Sequence, residues 1–220
     1  MDYTLVRSRR KTLELRVLPD GSVEVRAPLR AAKSAIDAFV RSREGWIREK
    51  QAVQAGRAAQ REAAASALPA SIPLFGRELP LLLPGAPEPG GRALRLSSAD
   101  PAGMRALAAA LYREAAGRVL PERAAYWAER VGLAPESVRI GAAKTSWGCC
   151  SGKGGVTFSY RLAAASPACI DYVVVHELCH LRELNHSPAF WALVERQIPD
   201  WKERREDLHA LARRLSLLGL

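Results

Sequence analysis

The alternation of apolar and polar residues predicts a β-rich beginning to the chain. Residues 12–17 and 23–27 alternate in this way on either side of Pro-Asp-Gly-Ser at positions 19–22, a typical turn sequence. This pattern predicts a hairpin of two half-buried strands, and residues 3–6 are a candidate third strand. From about residue 31 apolar residues recur at helical spacing, which predicts a helix that extends towards residue 67.

The composition changes twice in the middle of the chain. Residues 68–91 are rich in Pro and Gly and predict short strands and turns, including a loop at 85–91. Residues 101–131 again predict a helix, with a stop at Gly132 and a break or kink at Pro121. We expect an N-terminal region of hairpin, helix and small strands over residues 1–98 and a second region over 99–220, or one continuous unit.

The C-terminal half combines strands and helices. Residues 138–140 and 156–160 have strand patterns, and the Gly-rich segment between them predicts a hairpin. That segment lacks the G-x-x-x-x-G-K-[ST] spacing of a phosphate-binding loop. The later apolar pattern predicts three helices, the first beginning at Ser166-Pro167. The predicted fold class is α+β, with a central helix beside a small, mainly antiparallel sheet.

The stretch at residues 171–188 contains a motif with metal-binding spacing, H-E-x-x-H. His176 and His180 are four residues apart, so on a helix their imidazoles can face a single ion. Glu177 is close enough to reach a water molecule on that ion without being a ligand. Three of the four histidines of the chain lie in this stretch, which favours a site over a chance pattern.

The third histidine, His186, lies six residues after His180 and would leave the shared face if the helix continued. A bend is therefore required. Asn185 is predicted to end the helix, with orientation of His186 as the alternative, and Ser187-Pro188 predicts the cap and first residue of another helix. Three neutral imidazoles and one open position are typical of a catalytic zinc site, so we predict Zn²⁺ bound by His176, His180 and His186.

Other polar residues near the motif have alternative roles. Glu183 and His209 are the replacements if His186 is not the third ligand, although a solvated Glu and a surface His are the simpler interpretations. Asp171 either caps the helix or supports an imidazole. Tyr172 and Lys144 are candidates to stabilise a tetrahedral intermediate. We expect the strand at 156–160 to align an extended substrate, with Trp147 and Phe158 packing against the helix.

Composition and charge limit the function classes. The 220 residues carry a net charge of +10, but residues 171–220 hold seven basic and eight acidic side chains, so the basic excess lies in the preceding three quarters. Nucleic acid is therefore an open alternative partner, without a basic and aromatic run to support it. No apolar run could span a membrane, and no secretory signal is evident. Four cysteines without disulfide-framework or paired zinc spacing predict a reducing, cytoplasmic location.

Four motifs together resemble the YgjP-like metallopeptidases, relatives of SprT-like and other zincin-type proteins: Trp147-Gly-Cys-Cys-Ser151, Ile170 to Leu181, Asn185-His186-Ser187 and Phe190-Trp191. A weaker resemblance includes Arg26-Ala27-Pro28 and Trp46-Ile47, so it covers most of the chain. The resemblance implies a zinc-dependent hydrolase with the H-E-x-x-H helix at its centre. The chain departs from the family at Cys149, where Ser is common, and at Ser159, where Asn is common.

These observations predict a zinc metallopeptidase whose catalytic region is 99–220 and whose substrate is a polypeptide. Zinc would activate a water molecule, and Glu177 would take its proton and transfer it to the leaving amine. Two alternatives stay open. One is a metal-dependent nucleoside triphosphate pyrophosphatase, and the other is a basic nucleic-acid-associated protein with a zinc site.

Overall fold

The computed structural model describes residues 2–87 and 91–220, so positions 88–90 of the predicted loop lie outside the described residues. The chain divides into two compact units, residues 1–63 and 64–220. The small strands after residue 70 belong to the second unit, together with the H-E-x-x-H segment. The domain boundary predicted at residues 98 and 99 stays a prediction.

The first unit contains a three-stranded sheet and helices. Strands β2 (Glu14–Val17) and β3 (Val23–Pro28) form the predicted antiparallel hairpin, and β1 (Thr4–Ser8) pairs with β3 in parallel. The predicted helix is in fact two helices, α1 (Lys33–Ser42) and α2 (Glu44–Ser66). Every second residue of β3 is buried and packs with apolar residues of these helices, which gives a core of Val23, Val25, Ala27, Ile36, Val40 and Ile47.

The second unit begins with strands β4 (Ser71–Leu74), β5 (Arg77–Leu82) and β6 (Leu94–Arg95). The turn between β4 and β5 has positive φ at both Phe75 (50°) and Gly76 (73°). A Cβ atom on Gly76 would lie 2.8 Å from Ser166 Cα. The backbone N–H groups of Phe75 and Gly76 donate to the carbonyls of Ala163 and Ala164. This turn therefore packs directly against the residues that precede the H-E-x-x-H helix.

Helix α3 (Pro101–Val131) has 31 residues and belongs to the second unit. Asp100 caps it by accepting bonds from two backbone N–H groups, and Gly132 ends it in the left-handed conformation, as predicted. Of the predicted break or kink at Pro121, the break is wrong, because the helix continues through it. A proline removes one helical hydrogen bond, but residues on both sides are buried in one core: Tyr112, Ala116, Leu120 and Ala124.

The second sheet has the strand order β7 (Ser137–Gly141), β9 (Gly155–Ser159), β8 (Gly148–Cys150). The predicted hairpin of residues 138–140 with 156–160 is wrong, because β7 and β9 are parallel. The hairpin is formed by β8 and β9, with Cys150 opposite Val156. Residues 142–147 take the chain to the far side of β9, and the short β8 has no alternating pattern that would have revealed it.

The remaining elements surround one buried helix. After a short 3₁₀ helix (Tyr160–Ala164) come α4 (Pro167–Cys179), α5 (Pro188–Gln197) and α6 (Trp201–Leu217). Nearly all of α4 is buried, since α3, α5, α6 and β8 contact it. The fold is therefore α+β with the H-E-x-x-H helix at its centre. Among the described helices, none has the length and apolarity needed to cross a membrane.

Candidate metal centre

Helix α4 carries the first two histidines of the motif. Ser166 caps it by accepting a bond from the Cys169 N–H, with Pro167 as the first helical residue, as predicted. The helix ends at Cys179, and Asn185 has no positive φ, so the prediction that Asn185 ends it is wrong. The backbone N–H groups of residues 181–183 donate to the carbonyls of residues 178 and 179, and these hydrogen bonds end the helix before residue 185.

The segment after α4 returns the third histidine to the first two. Ser187 caps α5 by accepting from the Phe190 N–H, and its own N–H donates to the Asn185 carbonyl. This turn brings His186 Nε2 to 3.1 Å from His176 Nε2. One ring nitrogen from each of His176, His180 and His186 lies within 4.8 Å of the others. The structure thus brings together all three predicted ligands, whose role as ligands stays a prediction.

The chemistry of this histidine triad fits a metal ion. Two nitrogens held at about 2.1 Å by one tetrahedral ion lie about 3.4 Å apart, close to the 3.1 Å observed between His176 and His186. His180 Nδ1–H donates to the Glu183 carbonyl (2.9 Å), which leaves Nε2 with a free lone pair. Burial and the neighbouring imidazoles lower the pKa of His176 to about 3 and also lower the pKa of His186, so both are neutral.

Glu177 is a buried carboxyl group beside the triad. Its side chain is 6% exposed, and this burial raises its pKa to about 7. Strand β8 covers it, because a Cβ atom on Gly148 would lie 2.7 Å from Glu177 Cγ and 2.8 Å from Oε1. Only a glycine lets the strand approach this closely. A carboxyl group with a pKa near neutrality can both accept and release a proton.

A cavity of about 210 Å³ opens beside Glu177 and His176. Residues 146–148 line one side, and α4 and α6 supply the rest, including Tyr172, Arg205 and His209. His209 was expected at the surface, and the structure places its partly exposed ring at this cavity. Lys144 does not line it, and its carbonyl instead accepts a bond from Arg161 Nη1.

Comparison with known proteins now identifies the family. A family model described as "YgjP-like, metallopeptidase domain" matches residues 11–211. The chain belongs to the YgjP-like family. It is also similar to the crystal structure of the metallopeptidase zymogen of Pyrococcus abyssi abylysin, with 26% identity and a TM-score of 0.39. That match covers 42% of this chain and 93% of the other. No curated protein matches the chain.

Aromatic residues of α5 hold the imidazoles of this YgjP-like site. The Phe190 ring is fully buried and lies 4.4–4.9 Å from the ring centres of all three histidines. Trp191 stacks on His186 at 5.5 Å and on Trp201 of α6 at 4.1 Å. In the sequence, both residues were noted only as part of an apolar helix pattern and of the family motifs. Their positions four and five residues after the third histidine were the available signal.

Asp171 anchors the YgjP-like metal helix to α3. Its carboxylate accepts two bonds of 2.7 Å from the guanidinium of Arg123, and it contacts neither the helix cap nor an imidazole. Both predicted roles for Asp171 are therefore wrong. Glu183, the alternative ligand, reaches the site through its backbone carbonyl and is not a member of the histidine group.

The strand predicted to align an extended substrate, at residues 156–160, has no free edge. Strand β9, which contains residues 156–159 of the predicted strand, lies between β7 and β8, so both of its edges are hydrogen-bonded. It cannot align an extended substrate, and that prediction is wrong. Phe158 is fully buried in the core, whereas Trp147 is half-buried and lines the cavity. In the described part of the chain, β8 pairs with β9 alone and its other edge has no strand partner.

Replacing Gly148 with Ala should displace the Glu177 carboxylate. The added methyl group would lie within 3 Å of three side-chain atoms of Glu177. We expect peptide hydrolysis to fall about 10²-fold, since small displacements of a catalytic group have effects of this size. Initial rates, metal content and circular dichroism measure the result. Gly152→Ala is the control, because a Cβ atom there has open space. Equal rates for the two variants would contradict this packing argument.

Proposed function

We propose that the chain is a zinc-dependent peptidase in which His176, His180 and His186 hold the metal and Glu177 is the general base. One observation carries the proposal: three imidazole nitrogens lie within 4.8 Å of one another beside a buried carboxyl group. The three donors suit zinc, which accepts neutral imidazoles and keeps a fourth position for water in catalytic sites. The match to a metallopeptidase family supports the reaction class.

In this mechanism the metal and the carboxylate have separate tasks. Bound zinc supplies Lewis acidity, which lowers the pKa of water and polarises a peptide carbonyl. Glu177 accepts a proton from water and releases it to the leaving amine. Since its pKa is raised to about 7, Glu177 is mostly ionised above that pH and acts as a base there. Protonation at lower pH removes the base.

The substrate in this proposal is an extended polypeptide. The unpaired edge of β8 can form backbone hydrogen bonds with such a chain, and Gly148 of that strand lies against Glu177. The adjoining cavity of about 210 Å³ can accommodate one substrate side chain. All four cysteines are free, which fits the reducing, cytoplasmic location that we propose.

Hydrolysis of an unfolded protein tests the proposed function. We expect the zinc-loaded chain to cleave casein, a chelator to abolish cleavage, and added zinc to restore it. The same preparation should release no phosphate or pyrophosphate from nucleoside triphosphates. If casein stays intact while pyrophosphate is released from nucleoside triphosphates, the peptidase proposal is wrong and the pyrophosphatase alternative is supported. Strong, salt-dependent DNA binding without hydrolysis of either substrate would favour the nucleic-acid-associated alternative.

A further inference from the structure

Arg205 supplies a cationic side chain to the cavity beside Glu177. It lies on α6, and its guanidinium carbon is 5.1 Å from the centre of the Trp201 ring. This contact packs the guanidinium group against the Trp201 ring. The Nε atom of Arg205 is buried and has no hydrogen-bond partner in the structure. Buried donors in proteins are as a rule paired, so an acceptor oxygen of a ligand would satisfy this atom.

In the described part of the chain, Arg205 forms no ion pair shorter than 4.0 Å. Glu206 is its neighbour, but the two side chains approach only to 4.0 Å and the Glu206 side chain is 68% exposed. Such a pair is largely screened by water. Glu177 is the one carboxyl group among the residues that line the cavity, and within the described residues it forms no ion pair with Arg205. His209, one turn after Arg205, can add a second donor.

We propose that Arg205 binds a carboxylate of the substrate in this cavity, so that the peptidase prefers peptides with a carboxylate close to the cleaved bond. The carboxylate belongs either to an Asp or Glu side chain or to the C-terminus of the peptide. A guanidinium group matches the two oxygens of a carboxylate through parallel hydrogen bonds. This inference rests on the proposed peptidase function and specifies its substrate class.

The charge of the whole protein supports an acidic substrate. A net charge of +10 attracts acidic polypeptides and raises their local concentration near the surface. The histidine segment itself is nearly neutral, and Arg205 is the one Lys or Arg side chain among the residues that line the cavity. The net positive charge of the protein and the Arg205 side chain therefore both favour a ligand that carries a carboxylate.

Peptide binding to a non-cleaving chain tests the proposal directly. The zinc-loaded Glu177→Gln chain is titrated by calorimetry with acetylated, amidated Gln and Ala hexapeptides. One set has a single Glu placed at each position in turn, one peptide has no charge, and one has a free C-terminal carboxylate. We expect at least one Glu peptide, or the peptide with the free terminus, to bind at least tenfold more tightly than the neutral peptide. The peptide that binds more tightly, the one with Glu or the one with the free C-terminus, identifies the source of the carboxylate.

Variants at position 205 assign that preference to the guanidinium group. Arg205→Gln should remove the preference, and Arg205→Glu should favour a Lys peptide instead. Arg213→Glu, an exposed position on the same helix, changes the net charge as much as Arg205→Glu does and should alter each affinity less than twofold. Arg205→Lys is the second variant if Gln or Glu disturbs folding, and it should keep part of the preference. Circular dichroism verifies the fold of each variant.

Three results would overturn the carboxylate site: equal binding of the acidic and neutral peptides, no binding of any peptide, or a preference that survives Arg205→Gln. A lower cleavage rate of Arg205→Gln for acidic and neutral peptides alike would instead make Arg205 a stabiliser of the reacting carbonyl. Cleavage of casein by the wild type keeps the two proposals separate. If casein is cleaved without any carboxylate preference, the peptidase stands and this inference fails.

Discussion

The Glu177→Gln variant is expected to lose about 10²–10⁴-fold in peptide hydrolysis while it keeps one zinc per chain. Gln has nearly the same volume as Glu, so it fits beneath Gly148 without the close contact that a larger side chain would make. Its amide cannot accept a proton from water. The three histidines are unchanged, and the metal therefore stays bound. Rates on casein and metal analysis of the same sample measure both effects.

The pH dependence provides a check on the Glu177 assignment. Burial raises the pKa of Glu177 to about 7, so wild-type hydrolysis should decrease as the pH falls through that value. Below that pH the wild type carries a protonated Glu177, and the difference in hydrolysis rate between the wild type and Glu177→Gln should decrease. Glu195→Gln, at an exposed position on α5, is the matched control and should behave as the wild type. Full activity of Glu177→Gln would remove Glu177 from the mechanism.

Replacing His186 with Ala is expected to weaken zinc binding by at least about 100-fold, more than the loss of a supporting residue outside the ligand set. His176 and His180 alone would hold the ion from one face of α4, and the donor 3.1 Å from His176 would be gone. Competition with a coloured chelator measures the affinity. The folded state should persist, because His186 itself is exposed and Phe190 and Trp191 keep their other packing partners.

His209→Ala is the control for that measurement, since His209 is the one histidine outside the triad and should leave zinc affinity unchanged. If His186→Ala still binds one zinc per chain with the original affinity, His186 is not the third ligand. Glu183 or His209 would then take its place. The double variant His186→Ala with His209→Ala separates these two possibilities.

Sequence reasoning was most successful where the signal is local. The i, i+4 spacing of His176 and His180 and the caps at Ser166-Pro167 and Ser187-Pro188 depend on neighbouring residues, and the structure contains each of these features. The predicted ligands therefore came together without any knowledge of the sheet. The N-terminal hairpin was predicted for the same reason, because a turn sequence separates two alternating segments.

Features that depend on distant partners were missed. The parallel pairing of β7 with β9 needs residues 142–147 to cross to the other side, and no periodicity encodes that path. The pairing of Asp171 with Arg123 joins residues 48 positions apart. Helix α3 continues through Pro121 because tertiary packing outweighs one lost hydrogen bond. The role of Gly148 likewise depends on the Glu177 side chain above it, which belongs to another element.

The turn that returns His186 to α4 has a consequence for the lifetime of the protein. An ion bound by His176 and His186 would cross-link the end of α4 to the beginning of α5, across the eight connecting residues 180–187, which include an exposed Leu184. A ligand that binds the folded chain alone stabilises it in proportion to the logarithm of its free concentration. The supply of zinc would thus set the resistance of this segment to unfolding and proteolysis, as well as the fraction of active enzyme.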